Sequence, residues 1–285
     1  MTDPQSLHAD AARWIGRAFE RSDVIDERLL AEFTATLSPH LEAGSGLPLG
    51  LHWCLAPDTL ASGELGRDGH PKLGIYLPDL GLERRMWAGG ELVYHGDFTL
   101  GDTVTKTGTI EDVAVKSGRS GMLVFVKVRQ LYRAGGDLIL DERQDIVYRQ
   151  APPTSLDGPR APTIAPAAEA TNLPPGSWSI TPTPILLFRY SAMTFNSHRI
   201  HYDETYARQV EGYDGLVVHG PLQATLMLNL AAARSERPLR RFNYRGLAPL
   251  ICDGPFHVTV IRRDGALEAK VVSRAGIVTM SGTAA

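Results

Sequence analysis

The chain has 285 residues, 43% of them hydrophobic, and a formal net charge of −3. That is enough apolar material for one large or two ordinary domains, and it lacks the basic surplus expected of a nucleic-acid binder. Its two cysteines, Cys54 and Cys252, lie far apart and form no metal-ligand spacing, which excludes a disulfide scaffold or zinc ribbon and suits a reducing compartment.

No run of about 18 apolar residues is present, and the N-terminal stretch has no basic region followed by an apolar core. The expectation is a soluble, cytoplasmic protein with no membrane or nucleic-acid partner. Residues 7–36 carry apolar side chains at Ala11, Trp14, Ile15, Phe19, Ile25, Leu29, Leu30 and Phe33. This spacing predicts two helices or one kinked helix, with a break near Ser22. From Leu47 to Pro78 the chain is rich in Pro and Gly, long for a connection, and its aromatic content marks it as functional.

From Arg84 onward the pattern changes to strands. Glu91–His95, Thr103–Ile110, Gly121–Tyr132 and Asp137–Tyr148 are β-rich and separated by Gly, Asp and Ser turns, including one over Lys116–Gly121. Helices followed by consecutive strands read as α+β. Residues 151–176 are rich in Pro and Ala and predict a semi-extended linker between a first half, 1–150, and a second, 177–285.

The second half restarts with a strand predicted from Trp178 towards Leu187. A short helix or turn around Phe188–Met193 then leads into the polar loop Thr194–Arg199. Asp203 is placed to cap a helix carrying Tyr206, Ala207 and Val210, which Gly212 and Gly215 end. Leu216–Ala233 is apolar nearly all round and predicts a buried helix. Strands return at Arg241–Arg245, Phe256–Ile261, Leu267–Val272 and Gly276–Met280. Two halves of similar length, each ending in strands, fit an architectural duplication.

The order Ser191-Ala-Met-Thr194, a polar loop ending in Ile200-His201, Tyr206-Ala207 and then His219-Gly220 resembles the hydratase motif of the MaoC-like, hot-dog-fold enoyl-thioester hydratases. In that family an Asp-x-Asn-Pro-x-His loop activates water, and a backbone amide near the start of the central helix holds the thioester carbonyl. The resemblance implies a double hot-dog, in which each sheet wraps a central helix and the two join edge to edge. The first half would then be the substrate-binding half. It places the histidine at His201 and the amide at Gly220. The family's aspartate falls on Asn196, its asparagine on His198 and its proline on Arg199. The string FNSHRIHYD resembles the branch containing mitochondrial-type hydroxyacyl-thioester dehydratases and the itaconyl-CoA or mesaconyl-C4-CoA hydratases.

Hydration of an enoyl thioester needs a group to take a proton from water, one to deliver a proton to the α-carbon, and donors for the enolate oxygen. His201 is the base candidate, because neutral imidazole accepts a proton near pH 7. Asn196 cannot be a base and is read as positioning the water, with His198 or Asp203 assisting. Asp203 is alternatively only a helix cap, and Gly220 alternatively only a close-packing glycine. A substrate with its own carboxylate calls for a cation. Arg84, Arg85 and Arg199 are candidates for that role, for CoA phosphates or for plain surface. Trp87 and His219 complete the candidate substrate-binding set.

A metal held by His198 and His201 with His219, Asp203 or Cys252 matches no zinc spacing, so none is expected. The expected protein is a cofactor-independent hydro-lyase whose substrate carries CoA, and a homodimer. It would act on a short branched dicarboxylic enoyl-CoA. A 3-hydroxyacyl-thioester dehydratase of fatty-acyl or polyketide intermediates and a non-catalytic acyl-CoA-binding protein are the alternatives.

Overall fold

The computed structural model describes residues 10–42, 46–82, 84–118, 121–150 and 173–285. Most of the expected linker, 151–172, therefore lies outside the described residues. One ten-stranded antiparallel sheet runs through the molecule. The first half contributes β1 (Ala18–Val24), β2 (Arg84–Tyr94), β3 (Thr103–Gly118), β4 (Gly121–Ala134) and β5 (Asp137–Arg149), with helix α1 (Glu27–Leu37) after β1. The second half contributes β6 (Trp178–Ile180), helices α2 (Pro184–Met193), α3 (Glu204–Gln209) and α4 (Gly220–Ala232), and strands β7 (Arg241–Gly246), β8 (Phe256–Arg263), β9 (Ala266–Val272) and β10 (Val278–Ala284).

The strand order is β1-β3-β4-β5-β2-β7-β10-β9-β8-β6. The halves meet where β2 pairs with β7, from Gly89 opposite Arg245 to Val93 opposite Arg241. That is the edge-to-edge junction of a double hot-dog. Helix α4 is apolar all round, is buried from Leu222 to Ala231, and packs against β7, β8, β9 and β10. Its three polar side chains have partners, Thr225 Oγ1 lying 3.4 Å from Tyr190 OH. Asn229 Nδ2 donates to Leu49 O at 2.8 Å and to Thr225 O at 2.9 Å, its Oδ1 accepts from the Glu42 amide at 3.2 Å, and Gln223 Oε1 accepts from Thr279 Oγ1 at 2.8 Å. One apolar core unites Leu29, Phe33 and Leu37 of α1, Leu92 and Leu140 of the first sheet half, and Leu226, Phe256 and Val271 of the second.

Four local expectations are corrected. Ala18–Val24, inside the predicted helical stretch, is an edge strand whose residues pair one for one with Thr109–Thr103; pairing with a threonine-rich strand overrides a weak helical period. The helix begins only after Asp26, whose carboxylate accepts the Leu29 amide at 2.7 Å. The strand at Trp178 stops at Ile180, because Thr183 caps and Pro184 opens α2. Residues 216–219 are extended rather than helical, since Val217 bridges Ile251 and α4 starts at Gly220 with Pro221 in its first turn. The turn expected over Lys116–Gly121 is narrower, with β3 running to Gly118 and β4 starting at Gly121.

Candidate active site

A cleft of about 570 Å³ lies between the halves. Its walls come from the Pro/Gly-rich loop (Trp53, Asp58, Gly69, His70), the sheet (Trp87, Lys106, Gln130, Gln144), α2 (Phe188, Tyr190, Ser191), the motif loop (Asn196, Ser197) and the start of α4 (His219, Pro221). This size suits a small acyl group and its thioester arm. A second concavity of about 800 Å³ crosses the outer face of the sheet, but its lining contains no histidine.

Of the motif residues, Ser191, Asn196 and His219 line the cleft, while His198, His201 and Gly220 are not among its lining residues and His201 packs behind His219. His201 is 6% exposed and its Nδ1–H donates to Val217 O at 2.7 Å, which leaves Nε2 as the ring's acceptor. Its ring stacks on that of His219 with centroids 3.6 Å apart, and His198 lies edge-on to His201 at 5.5 Å. His219 Nε2 and Ser191 Oγ hydrogen-bond at 2.8 Å. Burial pushes His201 down to about 3 and holds His198 and His219 well below the usual imidazole range, with the neighbouring histidines adding to the effect. All three rings are neutral at pH 7.

Asn196 Oδ1 accepts the His198 amide at 3.0 Å, forming the turn that shapes the loop, while the residue also lines the cleft. Gly220 is the first residue of α4, where backbone N–H groups lack helical partners and the dipole favours negative charge. A Cβ at that position would sit 2.6 Å from Trp87 Cε3. Trp87 in turn stacks on Tyr244 at 4.6 Å and forms part of the cleft wall.

Asp203 caps α3 by accepting the Tyr206 amide at 2.9 Å and pairs with Arg199 Nη2 at 2.7 Å. Arg199 also reaches Arg67 O, and its plane covers Tyr206. Arg84 is held by Glu211 at 3.1 Å and by the carbonyls of Val210 and Glu211. Arg85 donates to Pro71 O and lies 3.8 Å from Asp68. None of these three arginines is among the cleft-lining residues.

The cation that does line the cleft is Lys106. On β3 it shares the core-facing side with Val104, Gly108 and Ile110. Gln130 on β4 and Glu142 and Gln144 on β5 face the same way. Four polar side chains thus stand where an alternating strand puts apolar ones. Glu142 is fully buried; it accepts from Trp53 Nε1 at 2.8 Å, Gln144 Nε2 at 2.9 Å and Tyr132 OH at 3.1 Å. Burial nonetheless raises its carboxyl above the usual range. Lys106 Nζ donates to the carbonyls of Leu55 and Ala56 at 3.2 Å each, and an ammonium has three donors. It forms no ion pair among the described residues. The alternation of β3–β5 was visible in the sequence, and polar residues at its inward positions were the signal for this row.

The Pro/Gly-rich loop supplies a further group that the motif search missed. Asp68 Oδ2 and His70 Nδ1 hydrogen-bond at 3.1 Å, and the His70 ring lies 4.0 Å from that of His198. Among the described residues, Asp68, His70 and His198 are the set whose ligand atoms could converge on an ion. Asp203, by contrast, is engaged at its cap.

The model of one family, hydroxyacyl-thioester dehydratase type 2, matches residues 50–252, which include the cleft and every motif residue. The chain belongs to this family. As a member of the hydroxyacyl-thioester dehydratase type 2 family it is a hydro-lyase. It is 38% identical over 282 residues to a mesaconyl-C(4)-CoA hydratase of Chloroflexus aurantiacus, covering 96% of this chain and 97% of that one. It is 27% identical to the mitochondrial hydroxyacyl-thioester dehydratase type 2 of Schizosaccharomyces pombe, covering 84% of this chain and 88% of that one. Among solved structures, HtdX of Mycobacterium tuberculosis superposes with a TM-score of 0.67 at 18% identity, over 94% of this chain and 99% of that one. A second M. tuberculosis protein, described as a double hot-dog, gives 0.53 at 15% identity over 95% of each chain. These structures establish the double hot-dog fold.

Proposed function

We propose that the chain hydrates a short branched dicarboxylic enoyl-CoA, itaconyl-CoA or mesaconyl-C4-CoA, giving citramalyl-CoA. The observation that carries the reading is Lys106. An ammonium on the core face of the sheet, facing the cleft beside Gln130 and Gln144, is a costly thing to bury for an uncharged acyl chain and a suitable partner for a second carboxylate. The 38% identity to a hydratase named for a dicarboxylic thioester supports the same class.

In this reading His201 stands on the attacking water, Asn196 shapes the loop that presents it, and the Gly220 amide at the start of α4 takes the enolate oxygen. Trp87 and His219 line the path of the acyl group. The exposed Phe188, Phe195 and Tyr202 at the mouth suit the pantetheine arm. The proposal includes a cytoplasmic location and a homodimer. No helix among the described residues is long and apolar enough to cross a membrane.

The test is kcat/KM for mesaconyl-C4-CoA and itaconyl-CoA against crotonyl-CoA, in the wild type and in Lys106→Met. The reading predicts a preference for the dicarboxylic substrates that the variant loses. Equal preference in both proteins would remove Lys106 from recognition, and turnover of crotonyl-CoA alone would move the protein to the general dehydratases.

A further inference from the structure

The motif loop carries Asn196 where the MaoC-like hydratase motif it resembles has an aspartate, and among the described residues His201 has no acidic partner: its Nδ1–H goes to the carbonyl of Val217. An Asp–His pair is nevertheless present at the same end of the cleft, brought there by the other half of the molecule. Asp68 accepts twice from His70, through Oδ2 from the ring Nδ1–H and through Oδ1 from the backbone amide, at 3.1 Å each. That fixes the tautomer, leaving His70 Nε2 as an acceptor, and His70 lines the cleft beside Asn196 and Ser197.

The two loops are built to meet. The Arg199 amide donates to Asp68 O at 2.8 Å, Arg199 Nη1 to Arg67 O at 3.2 Å, and Ser197 Oγ to Gly69 O. Gly69 has φ +90°, and a Cβ there would collide with the Ser197 carbonyl, so glycine is required between Asp68 and His70 for this approach. Five groups face His70: Asp68 and Asp58 from its own loop, Arg85 from β2, and His198 and His201 from the motif loop.

We propose that His70 is a catalytic residue and Asp68 its positioning residue, together supplying the acid–base group that Asn196 cannot. The proposal rests on the hydratase reading above and assigns the moving proton to His70. His70 Nε2 takes a proton from water as the water oxygen bonds to the β-carbon and the π pair moves onto the thioester oxygen. The imidazolium, held by the Asp68 carboxylate, then returns that proton to the α-carbon as the enolate collapses. Water is consumed and His70 ends as it began. His201 stays neutral, anchored on Val217, and accepts the other hydrogen of the water. Burial lowers the pKa of His70 while Asp68 opposes that effect, so the ring is neutral near pH 7 and ready to accept.

The experiment measures mesaconyl-C4-CoA hydration by the wild type, His70→Gln and Asp68→Asn across pH, with binding of succinyl-CoA, which has no double bond to hydrate, reporting an intact cleft. The expected result is a kcat loss of about 100-fold or more in His70→Gln with succinyl-CoA binding retained. Asp68→Asn should also lose rate, and the acidic limb of its kcat/KM profile should move to lower pH, because removing the carboxylate makes His70 harder to protonate. A structural role would not move that limb. Wild-type rates and an unmoved limb in both variants would overturn the proposal while leaving the hydratase reading standing. It would also be overturned by a stoichiometric metal ion lost on Asp68→Asn whose chelation abolishes turnover. A wild type that turns over no enoyl-CoA would end both readings.

Discussion

Two side chains separate the hydratase reading from its alternatives at the scale of single residues. Lys106 Nζ has one donor beyond its bonds to Leu55 O and Ala56 O. A hydrogen bond to a charged group contributes about 1.5–3 kcal/mol. Lys106→Met is therefore expected to lower kcat/KM for mesaconyl-C4-CoA by roughly 10- to 150-fold and to leave crotonyl-CoA nearly unchanged, as steady-state kinetics would show. His201→Ala removes the ring that stacks on His219 and should abolish turnover of every substrate; residual activity within about tenfold of wild type would exclude His201 from the chemistry. The three arginines that a sequence reading offers for the carboxylate are held by Glu211, by Asp203 and by Pro71 O beside Asp68. Chain order records which cations exist but not which are already paired, and this is why Lys106 was overlooked.

Helix α4 and the loops at its N-terminus set the site at the scale of elements. The helix was legible as a buried one because it is apolar on every face, and its start was misplaced because residues 216–219 are equally apolar yet pair with the segment around Ile251. The motif loop and the Asp203 cap were legible for local reasons, since a cap bonds residues three apart. The Asp68–His70 loop was marked as functional by its length and composition, but its docking on residues 196–199 is a contact across more than 120 positions that no local pattern encodes. Asn229 ties α4 to the first half through Leu49 O and the Glu42 amide. Asn229→Ala leaves those groups unpaired, and we expect it to cost about 1–3 kcal/mol in urea-monitored unfolding. Wild-type stability in that variant would show that the tie contributes nothing.

The whole molecule carries several histidines that are buried and neutral. His52 and His201 are pushed down to about 3 by burial, and His198 and His219 are also lowered. A histidine whose folded pKa lies below its unfolded value near 6.5 binds its proton more readily in the unfolded chain. Stability is therefore full above about pH 6.5 and falls as pH drops below it, by up to about 1.4 kcal/mol per pH unit for each such group. Tm is expected to fall steeply between pH 6.5 and pH 5, and a Tm that is flat across that window would contradict the neutral cluster. The double hot-dog itself was legible through the motif's resemblance to the MaoC-like hydratases, whereas two strand-rich halves in one repeated order pointed only to a duplication. The edge strand β1 was not, because its seven residues fit a helical period as well as an alternating one until β3 is beside them.

The most direct test of the central claim is incubation of the wild-type protein with mesaconyl-C4-CoA in ¹⁸O-labelled water, with products resolved by mass. The account predicts citramalyl-CoA carrying one solvent oxygen at the new hydroxyl. Recovery of unlabelled, unchanged mesaconyl-C4-CoA from a protein that binds it would contradict the account and mark the cleft as one that holds the thioester without hydrating it.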